Sequence, residues 1–144
     1  MVATAFAKRV GELFPVLHRH AARQQQDLLS KGYLSFPQSV VLEILASRES
    51  STMTEIARAI GRPKSAATAL VDGLVKLGLV RRWHAEGDRR LVNVSATAKG
   101  RRIARTVHDD MVALVDRIFA PLTETEKRQY LTILEKITEH IQRQ

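Results

Sequence analysis

The chain has 144 residues, 44% hydrophobic and 26% charged, which is about one domain, able to bury a core but short for a two-domain enzyme. Twenty-three Lys and Arg against fifteen Asp and Glu give a formal charge of +8, which favours an anionic partner such as nucleic acid or a membrane surface. With no cysteine it has no disulfide, Cys-ligated zinc, iron–sulfur cluster or thiol sensor, and residues 1–20 mix Lys8, Arg9, Glu12 and Arg19 into their apolar positions, unlike a signal sequence or membrane span.

From Phe6, the apolar Val10, Leu13, Phe14 and Leu17 recur at helical spacing, and the pattern predicts one long amphipathic helix running to Gly32. Ser35-Phe36-Pro37-Gln38 is a capping box: the Ser hydroxyl accepts a free backbone N–H while Gln38 reaches back. It opens a second helix with Val40, Val41, Ile44 and Leu45 as its predicted buried face, ending near Ser47 to Ser51. Another box, Thr52 to Glu55, starts a short helix with apolar Ile56, Ala57 and Ile60, closed by Gly61.

Pro63 suits the first turn of the next helix, about residues 63–77, which buries Ala67, Leu70, Val71 and Leu74 and turns Ser65, Thr68, Ala69, Asp72 and Lys76 outward, with Gly78 as its stop. Two helices joined by so tight a turn predict a helix-turn-helix. Beyond Gly78 the runs Leu79–Trp83 and Leu91–Ser95, rich in β-formers, flank the turn-forming Ala85 to Asp88, which predicts a β-hairpin, a wing. Thr97 starts a long helix with Ile103, Val107, Met111, Leu114 and Ile118 on one face, and Thr123 to Glu126 caps a last one with Tyr130, Ile133, Leu134, Ile137 and Ile141.

The fold class predicted is therefore mainly α with a small β-wing: a winged helix-turn-helix over 35–96 and dimerisation helices from both termini, 1–34 and 97–144, in one compact unit. The terminal helices carry more apolar stripe than a small winged helix covers, which predicts a twofold dimer with two recognition helices about one DNA turn apart. Charge is localised: residues 62–105 hold eleven Lys and Arg against Asp72, Glu86 and Asp88, while the other 100 residues carry twelve of each sign. A basic third of the chain is the footprint of a polyanion binder.

The order of elements, over nearly the whole chain, resembles the MarR family of bacterial and archaeal transcriptional regulators. The most specific part is the wing signature, Asp88-Arg89-Arg90 followed by Thr97-Ala98-Lys99-Gly100, and Ser65 to Val80 resembles the family's recognition helix and its exit. The resemblance implies a homodimeric repressor or activator, usually relieved by a small, often aromatic or phenolic, ligand bound between the DNA-binding and dimerisation regions. The chain departs from the family pattern at Ala69 and Gly73, where basic residues are common, and at Ala96, where Leu is usual.

On this reading the partners are double-stranded DNA, a second copy of the chain and a small aromatic effector, with no membrane, no cofactor and a cytoplasmic location. Arg62, Lys64, Ser65, Ala66, Thr68 and Ala69 are the recognition-helix candidates for base edges and nearby phosphates, and the small Ser, Thr and Ala side chains among them allow close approach but make a thin direct code. Arg89 and Arg90 are candidates for an adjacent minor groove, with Asp88 orienting Arg90. Asp72 is expected to pair with a neighbouring cation; Arg81, Arg82, Lys99, Arg101 and Arg102 are expected to position the DNA backbone. Phe14, His18, Tyr33 and Phe36 are candidates for a ligand cleft between the first two helices, though core packing explains them equally.

The histidines show no metal-ligand spacing, and no phosphate loop, nucleophile elbow or paired carboxylates suggest an enzyme. The function expected is a repressor on a pseudo-palindromic operator. The alternatives are an architectural protein that coats DNA without an operator and a dimeric scaffold for a protein partner.

Overall fold

The computed structural model describes residues 4–31 and 34–144. In chain order it contains α1 (Ala5–Lys31), α2 (Phe36–Ala46), β1 (Ser51–Thr52), α3 (Met53–Ile60), α4 (Lys64–Lys76), β2 (Val80–Ala85), β3 (Asp88–Ala96), α5 (Ala98–Phe119) and α6 (Glu124–Gln142). This is the mainly helical, winged helix-turn-helix architecture that the sequence predicts. Its packing falls into two compact units, one running to Met111 and one from Val112 to Gln144. No helix among the described residues is long and apolar enough to cross a membrane.

All three capping boxes form. Ser35 Oγ accepts from the Gln38 N–H at 3.3 Å while Gln38 Oε1 accepts from the Ser35 N–H at 2.9 Å. Thr52 and Glu55 repeat the exchange ahead of α3, and Thr123 and Glu126 ahead of α6. Each box satisfies two donors that the first helical turn leaves unpaired. At the other ends, Gly61 and Gly78 adopt φ of 62° and 72°, the left-handed region where a side chain is disfavoured. The chain then folds back so that the Arg62 N–H reaches Ala57 O and the Leu79 N–H reaches Leu74 O. Pro63 sits one residue ahead of α4, as its N-cap, rather than in its first turn.

The sheet order is β1-β3-β2, all antiparallel. β1 has no counterpart in the sequence reading. It is two residues long, too short to show alternation, and it exists because Ser51 and Thr52 pair with Val94 and Asn93 of β3. The hairpin is longer than expected at its tip: β3 begins at Asp88, and only Glu86 and Gly87, the latter at φ 81°, form the turn.

The core of the first unit gathers Val41, Leu42 and Leu45 of α2, Met53 and Ile56 of α3, and Ala67, Val71 and Leu74 of α4, with Leu79, Val80, Val94, Ala96 and Ala104. The buried set of α2 differs from the stripe read in the sequence: Leu42 and Ser39 are buried, whereas Val40 and Ile44 are only half-buried. α2 contacts α1, α3, α4 and β3, so its buried arc is wider than one stripe.

The start of α5 is welded to the end of α4. Thr97 Oγ1 donates to Gly78 O at 2.8 Å and the Thr97 N–H donates to Leu79 O at 3.0 Å. The same hydroxyl accepts the Gly100 N–H at 3.0 Å, and Lys99 Nζ donates to Leu77 O at 3.2 Å. A Cβ on the buried Gly100 would overlap the Leu79 carbonyl, so the backbones come this close only with glycine there. In the second unit Leu114 is buried and the Phe119 and Tyr130 rings meet at 4.9 Å, while Tyr130, Leu131, Ile133, Leu134, Ile137 and Ile141 of α6 stay exposed. On α1, Phe6, Val10, Leu13, Phe14, Val16 and Leu17 are likewise exposed.

Two consequences are measurable. Gly100→Ala should lower folding stability by about 1–3 kcal/mol in urea unfolding, as overpacking of a tight contact does; an unchanged midpoint would mean that α5 is free to move off Leu79. The Glu126 carboxyl lies below the ordinary glutamate range because the Thr123 N–H, then the Thr123 hydroxyl, bond its ionised form. With the folded pKa depressed, the cap is complete above about pH 4.3 and is lost as pH falls further, through the lowered value. Helicity by circular dichroism should fall over that acid window, and by less in Glu126→Gln, whose amide keeps an acceptor without titrating.

Candidate nucleic-acid interface

Burial of Ala67, Val71 and Leu74 fixes the rotation of α4 and turns the opposite stripe outward. Lys64, Ser65 and Ala69 are exposed on it, and Ala66 and Thr68 are half-buried beside it. Thr68 Oγ1 donates to Lys64 O at 2.8 Å, which commits its proton to the helix and leaves its lone pairs facing out. Arg62, exposed after the Gly61 turn, lines a depression of about 240 Å³ with Phe36, Pro37, Val40, Ile60 and Leu70. Lys64 and Thr68 line another, of about 360 Å³, with Met53, Arg82, Trp83, His84 and Val92. Of the recognition-helix candidates, Arg62 thus faces a depression on the α2 side and Lys64 and Thr68 one on the wing side, while Ser65, Ala66 and Ala69 line neither.

On the wing, Ala85 pairs with Asp88 across the turn, which places Arg89 and Arg90 next to the tip on opposite faces of β3. Asp88 Oδ1 accepts from the Arg90 N–H at 2.9 Å and lies 3.4 Å from its Nε, as the sequence led us to expect. The Arg90 side chain is 94% exposed. A pair so open to water contributes about 0–1 kcal/mol, so its effect is to direct the guanidinium rather than to hold the fold. The Arg89 carbonyl is tied to His84 Nδ1 at 2.8 Å, which braces the tip.

At the base of the wing, Arg81 Nε donates to Ser95 Oγ at 3.2 Å and its guanidinium lies 5.0 Å from the Trp83 ring centroid, a cation–π contact. Arg82 forms an ion pair with Asp72 across to α4, the cation partner expected for Asp72. Both pairings follow from strand alternation: Arg81 and Trp83 share one face of β2, and Arg82 points to the other. Trp83 was absent from the sequence-derived site, and that alternation is the signal that places it.

Two cations expected at the DNA backbone are engaged elsewhere. Arg101 Nη1 donates to Ala46 O at 2.7 Å and Nη2 to Arg48 O at 3.1 Å, capping the end of α2, and Lys99 caps the end of α4. Arg102 and Arg105 remain exposed on α5.

The ligand-cleft candidates are brought together only in part. Phe14 and His18 stack on α1, with ring centroids 6.3 Å apart and planes 11° from parallel, both exposed. Phe36, 53% exposed, lines the Arg62 depression instead. Tyr33 lies outside the described residues. Among the described residues, no group of three His, Cys, Asp or Glu side chains is placed to hold a metal ion.

The profile of the MarR family matches residues 34–91. The chain is 32% identical over 114 residues to YfiV of Bacillus subtilis, an uncharacterized HTH-type transcriptional regulator, covering 77% of this chain and 71% of that one. It is 29% identical over 100 residues to the transcriptional repressor MprA of Escherichia coli, covering 68% of this chain and 57% of that one. It shares its fold with the protein in a Staphylococcus aureus MepR–DNA complex, with a TM-score of 0.76 and 20% identity over 90% of this chain and 96% of that one.

The division of the cations has a direct test. Arg101→Ala should lower folding stability by about 1–3 kcal/mol, since it removes charge-assisted bonds to two helix-end carbonyls. Arg89→Ala should leave stability unchanged and make the salt dependence of DNA binding shallower by about 0.9 in log–log slope, the signature of one lost phosphate. The reverse assignment of effects would show that Arg101, not Arg89, faces the DNA.

Proposed function

The chain belongs to the MarR family of DNA-binding transcriptional regulators, and we propose that it is a homodimeric repressor that binds a pseudo-palindromic operator through α4 and the wing. Residues 35–96 serve as the DNA-binding region and 1–34 with 97–144 as the dimerisation region. The observation that carries the reading is the pairing of two outward elements of different chemistry. α4 offers Lys64 together with Ser65, Ala66, Thr68 and Ala69, the last four small enough for close approach in a major groove, and β3 offers Arg89 and Arg90 at a narrow tip suited to the adjacent minor groove. Arg62 and Arg81 add further cations to this surface.

The dimer is supported by the apolar side chains that α1 and α6 each leave exposed, which is surface of the kind that a second copy covers. Repression is supported by the name of the relative MprA, and DNA as partner by the MepR–DNA complex. A small aromatic effector would weaken DNA binding, with the Phe14–His18 stack as the aromatic surface available to it on α1.

One observation favours the second reading, an architectural protein without an operator: between Lys64 and Lys76 the outward face of α4 has no cation of its own. Selection of bound duplexes from a random pool at about 0.15 M salt separates the two, because non-specific charge contacts are already weakened there. A palindromic consensus with half-sites about one helical turn apart is the expected result. Binding without a consensus would overturn the operator and favour the architectural protein.

A further inference from the structure

The bare face of α4 is not without a guanidinium near it. Arg82 crosses from β2 and its Nη1 donates to Asp72 Oδ1, on the helical turn after Thr68 and Ala69. Arg82 also lines, with Lys64 and Thr68, the depression of about 360 Å³ beside the N-terminal half of α4, the half that enters a major groove. The two side chains are 44% and 42% exposed, and among the described residues Asp72 is the sole hydrogen-bond partner of the Arg82 side chain. Nη1 is engaged by Asp72, and the other guanidinium donors, on a side chain nearly half exposed, have no partner among the described residues.

Two uses of such a group are physically distinct. A phosphate contact works through net positive charge, and a carboxylate beside it cancels that charge and repels the phosphate. A base contact works through the orientation of a planar fork, and a carboxylate holding one edge supplies that orientation. The presence of Asp72 therefore argues for the second use. The fork of an arginine matches O6 and N7 of guanine, a pairing that α4 itself has no arginine to make.

We propose that Arg82, aimed by Asp72, reads a guanine in the major groove beside α4, so that direct readout is supplied by the first strand of the wing rather than by the recognition helix. Arg82 touches the base and Asp72 is a positioning residue. The assignment rests on the operator-binding reading given above.

The test repeats the selection with wild type, Arg82→Ala, Arg82→Lys and Asp72→Asn, together with binding to the selected operator and to random duplex. The wild-type consensus should contain one G·C pair per half-site whose preference Arg82→Ala abolishes, with affinity for that operator falling about 5- to 150-fold while the other positions keep their preference. Arg82→Lys keeps the charge without the fork and should retain affinity for random DNA while losing most of that preference. Asp72→Asn should weaken the preference at the same pair and tighten binding to random DNA. The surface location of the pair lets all three variants fold, which circular dichroism checks; should Arg82→Ala not fold, Arg82→Lys and Asp72→Asn still decide. A loss in Arg82→Ala that is equal on all sequences, with a salt slope shallower by about 0.9, would make Arg82 a phosphate contact and overturn the proposal alone. A wild-type pool without any consensus would overturn the operator reading and this assignment with it.

Discussion

The fold hangs on the contact between the end of the recognition helix and the start of α5. Three consecutive carbonyls at the exit of α4, those of Leu77, Gly78 and Leu79, accept from Lys99, Thr97 and Thr97 again, and Gly100 lets the two backbones touch. The carbonyls of Gly73, Leu74 and Val75 at the end of α4 are met by the Leu77, Leu79 and Gly78 N–H groups, and the three carbonyls that follow the helix take their donors from the start of α5. Because Val80, the next residue, opens β2, the same few ångströms also set where the wing departs. The angle of α4, the root of the hairpin and the origin of α5 are therefore fixed by one cluster of bonds, and movement in any of them has to pass through it.

That cluster gives the wing signature a physical content in this chain. Its two halves do different work. Asp88 to Arg90 sits in water at the hairpin tip and orients a guanidinium. Thr97 to Gly100 sits against the protein, where the hydroxyl both donates to one helix and caps the next. The first half shapes the solvent-facing hairpin tip, and the second ties the start of α5 to the exit of α4.

What was legible in the sequence was local. Capping boxes, left-handed glycines and the change of period after Gly78 involve residues within four positions of one another, so Ser35, Thr52, Thr123, Gly61 and Gly78 were all placed correctly. What was not legible depends on partners far along the chain. β1 exists through pairing with residues more than forty positions away, and Leu42 is buried because α2 touches four other elements rather than one. The cations show the same limit: Lys99 and Arg101 look identical in sequence to Arg89 and Arg90, yet their charges meet helix ends brought up by the fold. Asp72 was the exception, since an acid on a stripe read as facing DNA announces its need for a cation even when the cation itself cannot be named.

The departures from the family pattern at Ala69 and Gly73 are of different kinds. Gly73 lies on the side of α4 that meets α2, and the space where its Cβ would stand is taken by the amide nitrogen of Gln38. The other end of that amide accepts the Ser35 N–H and completes the cap of α2. A side chain at 73 would displace the Gln38 amide, the flexible end of the residue that completes the cap of α2. Ala69, by contrast, is exposed on the outward stripe and has no such neighbour to accommodate. The thinness of the helix's own code is thus concentrated at one position, one turn from where Asp72 draws in Arg82. Ala69 stands three residues before Asp72, so the helix presents a methyl group one turn from the carboxylate that draws in Arg82 from the strand.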